Sequence, residues 1–260
     1  MKKVYLDNGA TTQVAKEVAK AVQEMMIKKF GNPSSLHSFG EESKTEMDKA
    51  REIIAKKINA EQDELIFMSG GTEADNLAIK GIAYKNKDKG NHIITTVIEH
   101  PAVLRTCEAL EKEGFKVTYL NVDEEGFVSL KKLEESITPE TILVTIIHAN
   151  NEIGTIQDIK AIGDICRKKN IIFHTDAVQS FTKVPIDVKE TNIDLMALSA
   201  HKIHGPKGIG VLFVRKGVKL KPLIDGGGQE NKVRSGTENM PGIVGFGKAV
   251  EISKESDVEK

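Results

Sequence analysis

Residues 65–85 read LIFMSGGTEADNLAIKGIAYK: four apolar residues, a serine with two glycines, then a segment whose apolar side chains recur at helical spacing. That is a short buried strand turning directly into a helix. The alternation continues through the strand HIITTVIE, the helix AVLRTCEALEKEG and the strand KVTYLNV. A helix at SLKKLEESI precedes the strand TILVTIIH, another at IKAIGDICRKKN precedes IIFHTDA, and DLMALSA and GIGVLFVR add two more strands. Strands separated by helices of this length need crossovers, which predicts an α/β fold with a mostly parallel sheet covered by helices on both faces. Upstream, Val14, Val18, Val22 and Met25 share one helical stripe, and KTEMDKAREIIAKKI reads as a second amphipathic helix. Ligands of such sheets bind beyond the carboxyl ends of the strands, so reactive residues are sought there.

The chain has 260 residues, enough for one sizeable domain or one domain with an incomplete second. Hydrophobic residues make up 39%, charged residues 29%, and the formal net charge is −1, which gives no electrostatic case for nucleic acid or an anionic membrane. Apolar runs such as TILVTII are too short to span a bilayer. MKKVYLDNGATT turns polar before an apolar core forms, so no secretory leader is expected. Two cysteines suggest a reducing, cytoplasmic setting. Cys107 shares helical spacing with Val103 and Leu110, and Cys166 with Ile159 and Ile162, so both are expected to be inert core residues. The seven histidines show no HExxH and no paired ligand spacing, and no CxxC is present, so no metal site is expected.

Four stretches carry chemistry. In SGGT, Gly70 and Gly71 let backbone approach a ligand and Thr72 can cap the following helix, whose free amides and dipole favour an anion such as phosphate. FHTDAVQS ends a strand in Asp176, with Gln179 three residues on; a carboxylate there is either a helix cap or the partner of a pyridinium nitrogen. SAHKIHGPKGIG places Lys202 between His201 and His204 after an apolar strand. A Schiff-base lysine must lose its proton part of the time, which desolvation and neighbouring positive charge encourage. Ser199 and His201 beside it can bind phosphate oxygens. His100, between a strand and a proline-started helix, can stack on a ring or shuttle a proton, or simply begin the helix. After TILVTIIH, Asn150 and Asn151 are equally able to donate to a phenolic oxygen.

In YLDNGATT, GNPSSLHSFG, SGGTEADN, IEHPAV, NNEIGTIQ, HTDAVQS, SAHKIHGPKGIG and GGGQENKVRSGT, the chain resembles NifS/IscS-type cysteine desulfurases, pyridoxal-phosphate enzymes of the class V aminotransferase group. The resemblance implies an aminotransferase-like large domain that binds pyridoxal 5'-phosphate. Lys202 would carry the cofactor as a Schiff base, Asp176 would pair with the pyridine nitrogen, and His100 would stack on the ring. Gln179 and Asn151 would contact the phenolic side, and Gly71, Thr72, Ser199 and His201 would hold the phosphate. Lys202 and His100 would be the catalytic proton carriers. Thr237 would reach the phosphate of a second subunit, which implies a homodimer. The implied reaction takes sulfur from L-cysteine, leaving L-alanine and a persulfide destined for iron–sulfur clusters or thio-cofactors through an acceptor or scaffold protein.

The division implied is an N-terminal arm at 1–14, a cofactor-binding large domain at 15–241, and the start of a connecting helix at 242–260. Two departures stand out. Gly9 replaces the usual alanine, a change expected to loosen the arm. The small domain that carries the nucleophilic cysteine and the substrate-binding arginine is not among these residues, and neither Cys107 nor Cys166 matches that cysteine. Two other readings follow from this: another class V enzyme, such as a selenocysteine lyase or an aminotransferase, or a truncated, non-catalytic cofactor-binding protein.

Overall fold

The computed structural model describes residues 3–253. In chain order the elements are α1 (Lys16–Ile27), α2 (Ser38–Lys57), β1 (Leu65–Met68), α3 (Gly71–Lys85), β2 (His92–Thr96), α4 (Pro101–Lys112) and β3 (Lys116–Leu120). They continue with α5 (Leu130–Ser136), β4 (Thr141–Thr145), α6 (Ile159–Lys168), β5 (Ile172–Asp176), β6 (Leu195–Ser199), β7 (Gly210–Val214) and α7 (Met240–Ile252). Every strand and helix expected from the pattern is present. The second helix begins at Ser38, ahead of KTEMDKAREIIAKKI, because His37 caps it: its ring nitrogen accepts from Gly40 N at 3.4 Å.

One seven-stranded sheet has the order β1-β7-β6-β5-β4-β2-β3. β7 pairs antiparallel with β1 and β6, and the other pairings are parallel. Alternation along β1 shows how both faces are filled: Leu65 and Phe67 enter one apolar core, Ile66 and Met68 the other. The first core is closed by α1, α2, α5, α6 and α7, through residues such as Val18, Ile54, Leu133, Ile162 and Phe246. The second is closed by α3 and α4, through Leu77, Ile82, Val103 and Leu110. The stripe expected on α1 is the buried one, with Val18 and Met25 inside and Val14 and Val22 packed at the margin. α7 packs against α1 and α2, and Phe181 meets Phe246 edge to face at 6.0 Å.

This order places the site. From β2 the chain moves outward to β3, then returns across β2 to β4, β5 and β6. The direction of winding therefore reverses between β2 and β4, and loops leaving neighbouring parallel strands diverge there to open a crevice. No described helix is long and apolar enough to cross a membrane.

Candidate active site

The crevice is a cavity of about 490 Å³. Its walls come from the turns after β1, β2, β4, β5 and β6, and residues 7–10 of the N-terminal arm lie across its mouth. The arm is tied down by Thr12, which is 5% exposed: Thr12 N and Oγ1 both donate to His201 O, at 2.9 and 2.8 Å. Thr12 Oγ1 in turn accepts from His204 N at 2.7 Å. A Cβ at position 9 would meet no atom within 4 Å, and the residue works through its carbonyl, which accepts from Gln179 Nε2 at 2.9 Å.

Lys202 stands in a short 3₁₀ turn, Ala200–Lys202, after the fully buried β6. The turn folds back so tightly that a Cβ on Gly205 would lie 2.7 Å from Ala200 O, while Gly205 N donates to that oxygen at 3.0 Å. Lys202 Nζ donates to Ala10 O at 2.9 Å and to Gly9 O. Burial lowers its pKa below the ordinary lysine value. The expectation of help from neighbouring positive charge is corrected: the charges acting on Lys202 are those of Asp176, Asp7 and Glu152, and all three oppose the shift. Desolvation alone favours the neutral amine.

Asp176 is the last residue of β5 and is 4% exposed. Its Oδ1 accepts from Val178 N at 2.9 Å, and burial raises its pKa, with His100 and Lys202 pulling it back. His100 fills both roles open to it. It is the N-cap of α4, with Nδ1 accepting from Ala102 N at 3.1 Å, and it lines the cavity. The accepted bond at Nδ1 leaves Nε2 as the nitrogen that carries the proton.

An anion seat lies opposite. α3 begins at Gly71, with its cap two residues earlier than expected: Gly70 is the N-cap and Thr72 is a first-turn residue lining the cavity. The capping reading of Thr72 is thereby corrected, because the Glu73 carboxylate reaches back to Ser69 N at 2.6 Å and takes over the outer end of the turn. First-turn amides have no acceptor within the helix and attract anions. Ser199 Oγ is buried at the same cavity without a hydrogen-bond partner. His201 also lines it, with Nδ1 3.1 Å from Thr11 Oγ1.

The two asparagines separate cleanly. Asn150 is spent on two loops: Nδ2 donates to Ile98 O after β2 at 2.7 Å, and Oδ1 accepts from Glu152 N and Ile153 N of its own loop at 2.9 and 3.0 Å. Asn151 and Gln179 line the cavity. Thr237 does not; it borders a separate hollow with Ser69 and Glu238. Cys107 and Cys166 are buried core residues, and burial pushes each thiol up to about 12.

Sequence reasoning missed Asp75, which lines the cavity at 1% exposure. One carboxylate oxygen each from Asp75 and Asp176 and one ring nitrogen of His100 lie within 4.8 Å of one another. The signal was present in SGGTEADN: Asp75 shares a helical stripe with Ala78, Ile79 and Ile82, where an acid is out of place on an apolar face. Glu99, next to His100, was missed too. It is buried with Oε1 accepting from Thr96 Oγ1 and Ile147 N at 2.7 and 2.9 Å.

A parallel sheet with a half-buried lysine facing a buried carboxylate, beside an amide-rich helix start, is the arrangement of pyridoxal-phosphate enzymes. The chain belongs to one family of them, since residues 4–260 match Aminotransferase class-V. It is 58% identical over 259 residues to a protein of Clostridium botulinum (strain Hall) named cysteine desulfurase IscS, covering 100% of this chain and 65% of that one. It is also 58% identical over 252 residues to a cysteine desulfurase IscS of Methanosarcina thermophila, covering 97% and 62%. The chain thus spans less than two thirds of the length of these relatives. A solved structure of SspA in complex with cysteine superposes with a TM-score of 0.95 at 46% identity, over 99% of this chain and 75% of that one. A NifS-like protein gives 0.95 at 45% identity, over 97% and 70%.

Proposed function

We propose that this chain is the cofactor-binding large domain of a pyridoxal-phosphate-dependent cysteine desulfurase, which takes sulfur from L-cysteine and leaves L-alanine and a protein persulfide. The observation that carries the reading is the convergence of Lys202 and Asp176 on one cavity with the first turn of α3. The residues present fit the cofactor. The unpartnered Ser199 Oγ and the free amides at Gly71 and Thr72 suit a phosphate, with His201 as a further donor. Asp176, whose carboxyl is held above the ordinary range by burial, would be returned to its ionised form by a protonated ring nitrogen. His100 would cover the ring, and Asn151 and Gln179 would meet its phenolic side.

When bound, the cofactor supplies an electron sink for charge developing at the substrate α-carbon. Lys202 Nζ would anchor it and would accept and return a proton as a base eased by desolvation. His100 Nε2 offers a second proton at the cavity wall while its Nδ1 keeps the ring fixed on α4. The carbonyls of Gly9 and Ala10 hold Nζ before loading. Cys107 and Cys166 take no part, because neither thiol reaches the cavity or ionises near neutrality. The thiolate that receives sulfur therefore comes from outside residues 1–260. In this reading residues 1–14 are the arm, 15–241 the large domain, and 242–260 a connecting segment, of which 254–260 lie outside the described residues. The working unit is a cytoplasmic homodimer in which Thr237 serves the partner's phosphate, and an acceptor or scaffold protein takes the persulfide sulfur.

The relatives' names and the cysteine bound to SspA favour L-cysteine as substrate over other class V chemistries. The test is substrate titration of the cofactor-loaded protein. L-cysteine should perturb the cofactor absorption saturably, while L-glutamate should not. Stoichiometric conversion to pyridoxamine phosphate by L-glutamate, reversed by 2-oxoglutarate, would replace this reading with an aminotransferase.

A further inference from the structure

Beneath the cavity, two buried polar atoms face each other without partners. Asp75 Oδ1, on α3, and His174 Nε2, on β5, are 3.6 Å apart, and neither has a hydrogen-bond partner among the described residues. The side chains are 1% and 0% exposed. The other ring nitrogen of His174, Nδ1, lies 2.8 Å from Thr145 Oγ1 on the adjacent strand β4. Asp75 also approaches Asp176, with carboxylate oxygens of the two within 4.8 Å.

The proton arrangement follows from these neighbours. The charged or titratable groups around the pair are Asp176 on the same strand as His174, Glu99 after β2, His100 at the start of α4, and Lys202 after β6. An ionised Asp75 would put a second bare negative charge beside Asp176 in a dry environment, and two like charges so placed do not both persist. A hydroxyl acceptor at Nδ1 lets His174 carry its proton there, which turns the Nε2 lone pair toward Asp75. We propose that Asp75 is a neutral carboxylic acid that keeps its proton and directs its O–H at the His174 Nε2 lone pair across a long polar contact of 3.6 Å, a positioning pair that leaves Asp176 as the single negative charge beneath the cofactor ring. Burial first, then the charges of Asp176 and Glu99, hold the Asp75 carboxyl far above the ordinary range, and burial pushes His174 down to about 3, which agrees with a proton kept on the acid. Asp75 then acts through Asp176: it lends a second oxygen's polarity to the floor without competing for the ring's positive charge.

The consequence at the ring rests on the pyridoxal-phosphate reading, whereas the pair itself is testable without cofactor. The experiment is long-range ¹H–¹⁵N correlation NMR of cofactor-free protein with ¹⁵N-labelled histidine, His174 being assigned with His174→Gln. The expected result is a His174 ring protonated at Nδ1 with an accepting Nε2, unchanged from pH 5.5 to 8.5. Asp75→Asn keeps a neutral donor and should preserve that tautomer. Its pH midpoint for the bound cofactor's absorption should stay within about half a unit of wild type. Asp75→Ala should lose the tautomer; if it does not fold, wild type and Asp75→Asn still decide. A ring protonated at Nε2, a His174 titrating within that range, or loss of the tautomer in Asp75→Asn would overturn the proposal. Failure to bind cofactor with the tautomer as expected would count against the functional reading and leave the pair standing.

Discussion

Lys202 and Asp176 do their work through opposite burial effects. Desolvation disfavours charge on both, which makes the lysine a better nucleophile and leaves the carboxylate waiting for a cationic partner. Asp176→Asn should therefore retain cofactor binding, held by the phosphate contacts, while the bound ring loses its protonated form across the accessible pH range. Titration followed by absorption spectroscopy checks both, and complete loss of binding by a folded variant would contradict this division of labour. The two cysteines provide a second check at this scale. With thiol pKa values near 12, native protein at pH 8 should leave both Cys107 and Cys166 unmodified by iodoacetamide, and denaturant should expose both. For the same reason residues 1–260 should release no sulfide from L-cysteine with dithiothreitol, a result that lead-acetate or methylene-blue detection would reveal as wrong.

At the scale of elements, close approach of backbones fixes how the site is held. A Cβ at Gly210 would lie 2.6 Å from Leu198 O and 2.7 Å from the carbonyl carbon of Gly70, so neither the β6 edge nor the turn into α3 could yield. Gly210→Ala should cost about 1–3 kcal/mol in urea denaturation and weaken cofactor binding through the displaced turn. Gly9→Ala, with open space around it, should change stability by less than about 0.5 kcal/mol. The seven strands and seven α-helices among the described residues were legible in the sequence because their apolar periodicities are unambiguous, and the position of the site followed from where those strands end. Three things were not legible. The reversed direction of β7 is set by the connection 200–209, which holds a 3₁₀ turn and no crossover helix, rather than by the pattern of the strand itself. The choice between Asn150 and Asn151 depends on which one the loop consumes. Asp75 was hidden because a helical stripe was read for its apolar members, and its neighbour His174 is brought to it only by the packing of α3 on β5.

For the whole molecule, buried ionisable groups shape stability against pH. Glu99 is pushed up to about 8 by burial, from about 4.3 in an unfolded chain. Between those values the folded protein holds a proton that the unfolded chain has released, so this stability is present at low pH and is lost as pH rises toward 8. Asp75 acts in the same direction. His148 and His174, lowered to about 4 and about 3, act oppositely: their stability is present above about pH 6.5 and falls as pH drops through and below it. Cofactor-free protein should therefore lose stability between pH 6.5 and 8. Glu99→Gln should remove about 1.4 kcal/mol per pH unit of that loss, measured by urea denaturation at several pH values. An unchanged slope in the variant would show that Glu99 is already ionised in the fold.

The account depends above all on Lys202 being the residue that carries pyridoxal phosphate. Borohydride reduction of the cofactor-loaded protein, followed by proteolysis and peptide mass spectrometry, reads that directly. The pyridoxyl group should be found on the peptide containing Lys202 and should disappear in Lys202→Ala. Its appearance on Lys183, the half-buried lysine held by Gln179 Oε1 at 3.4 Å, or on any other lysine, would contradict the assignment.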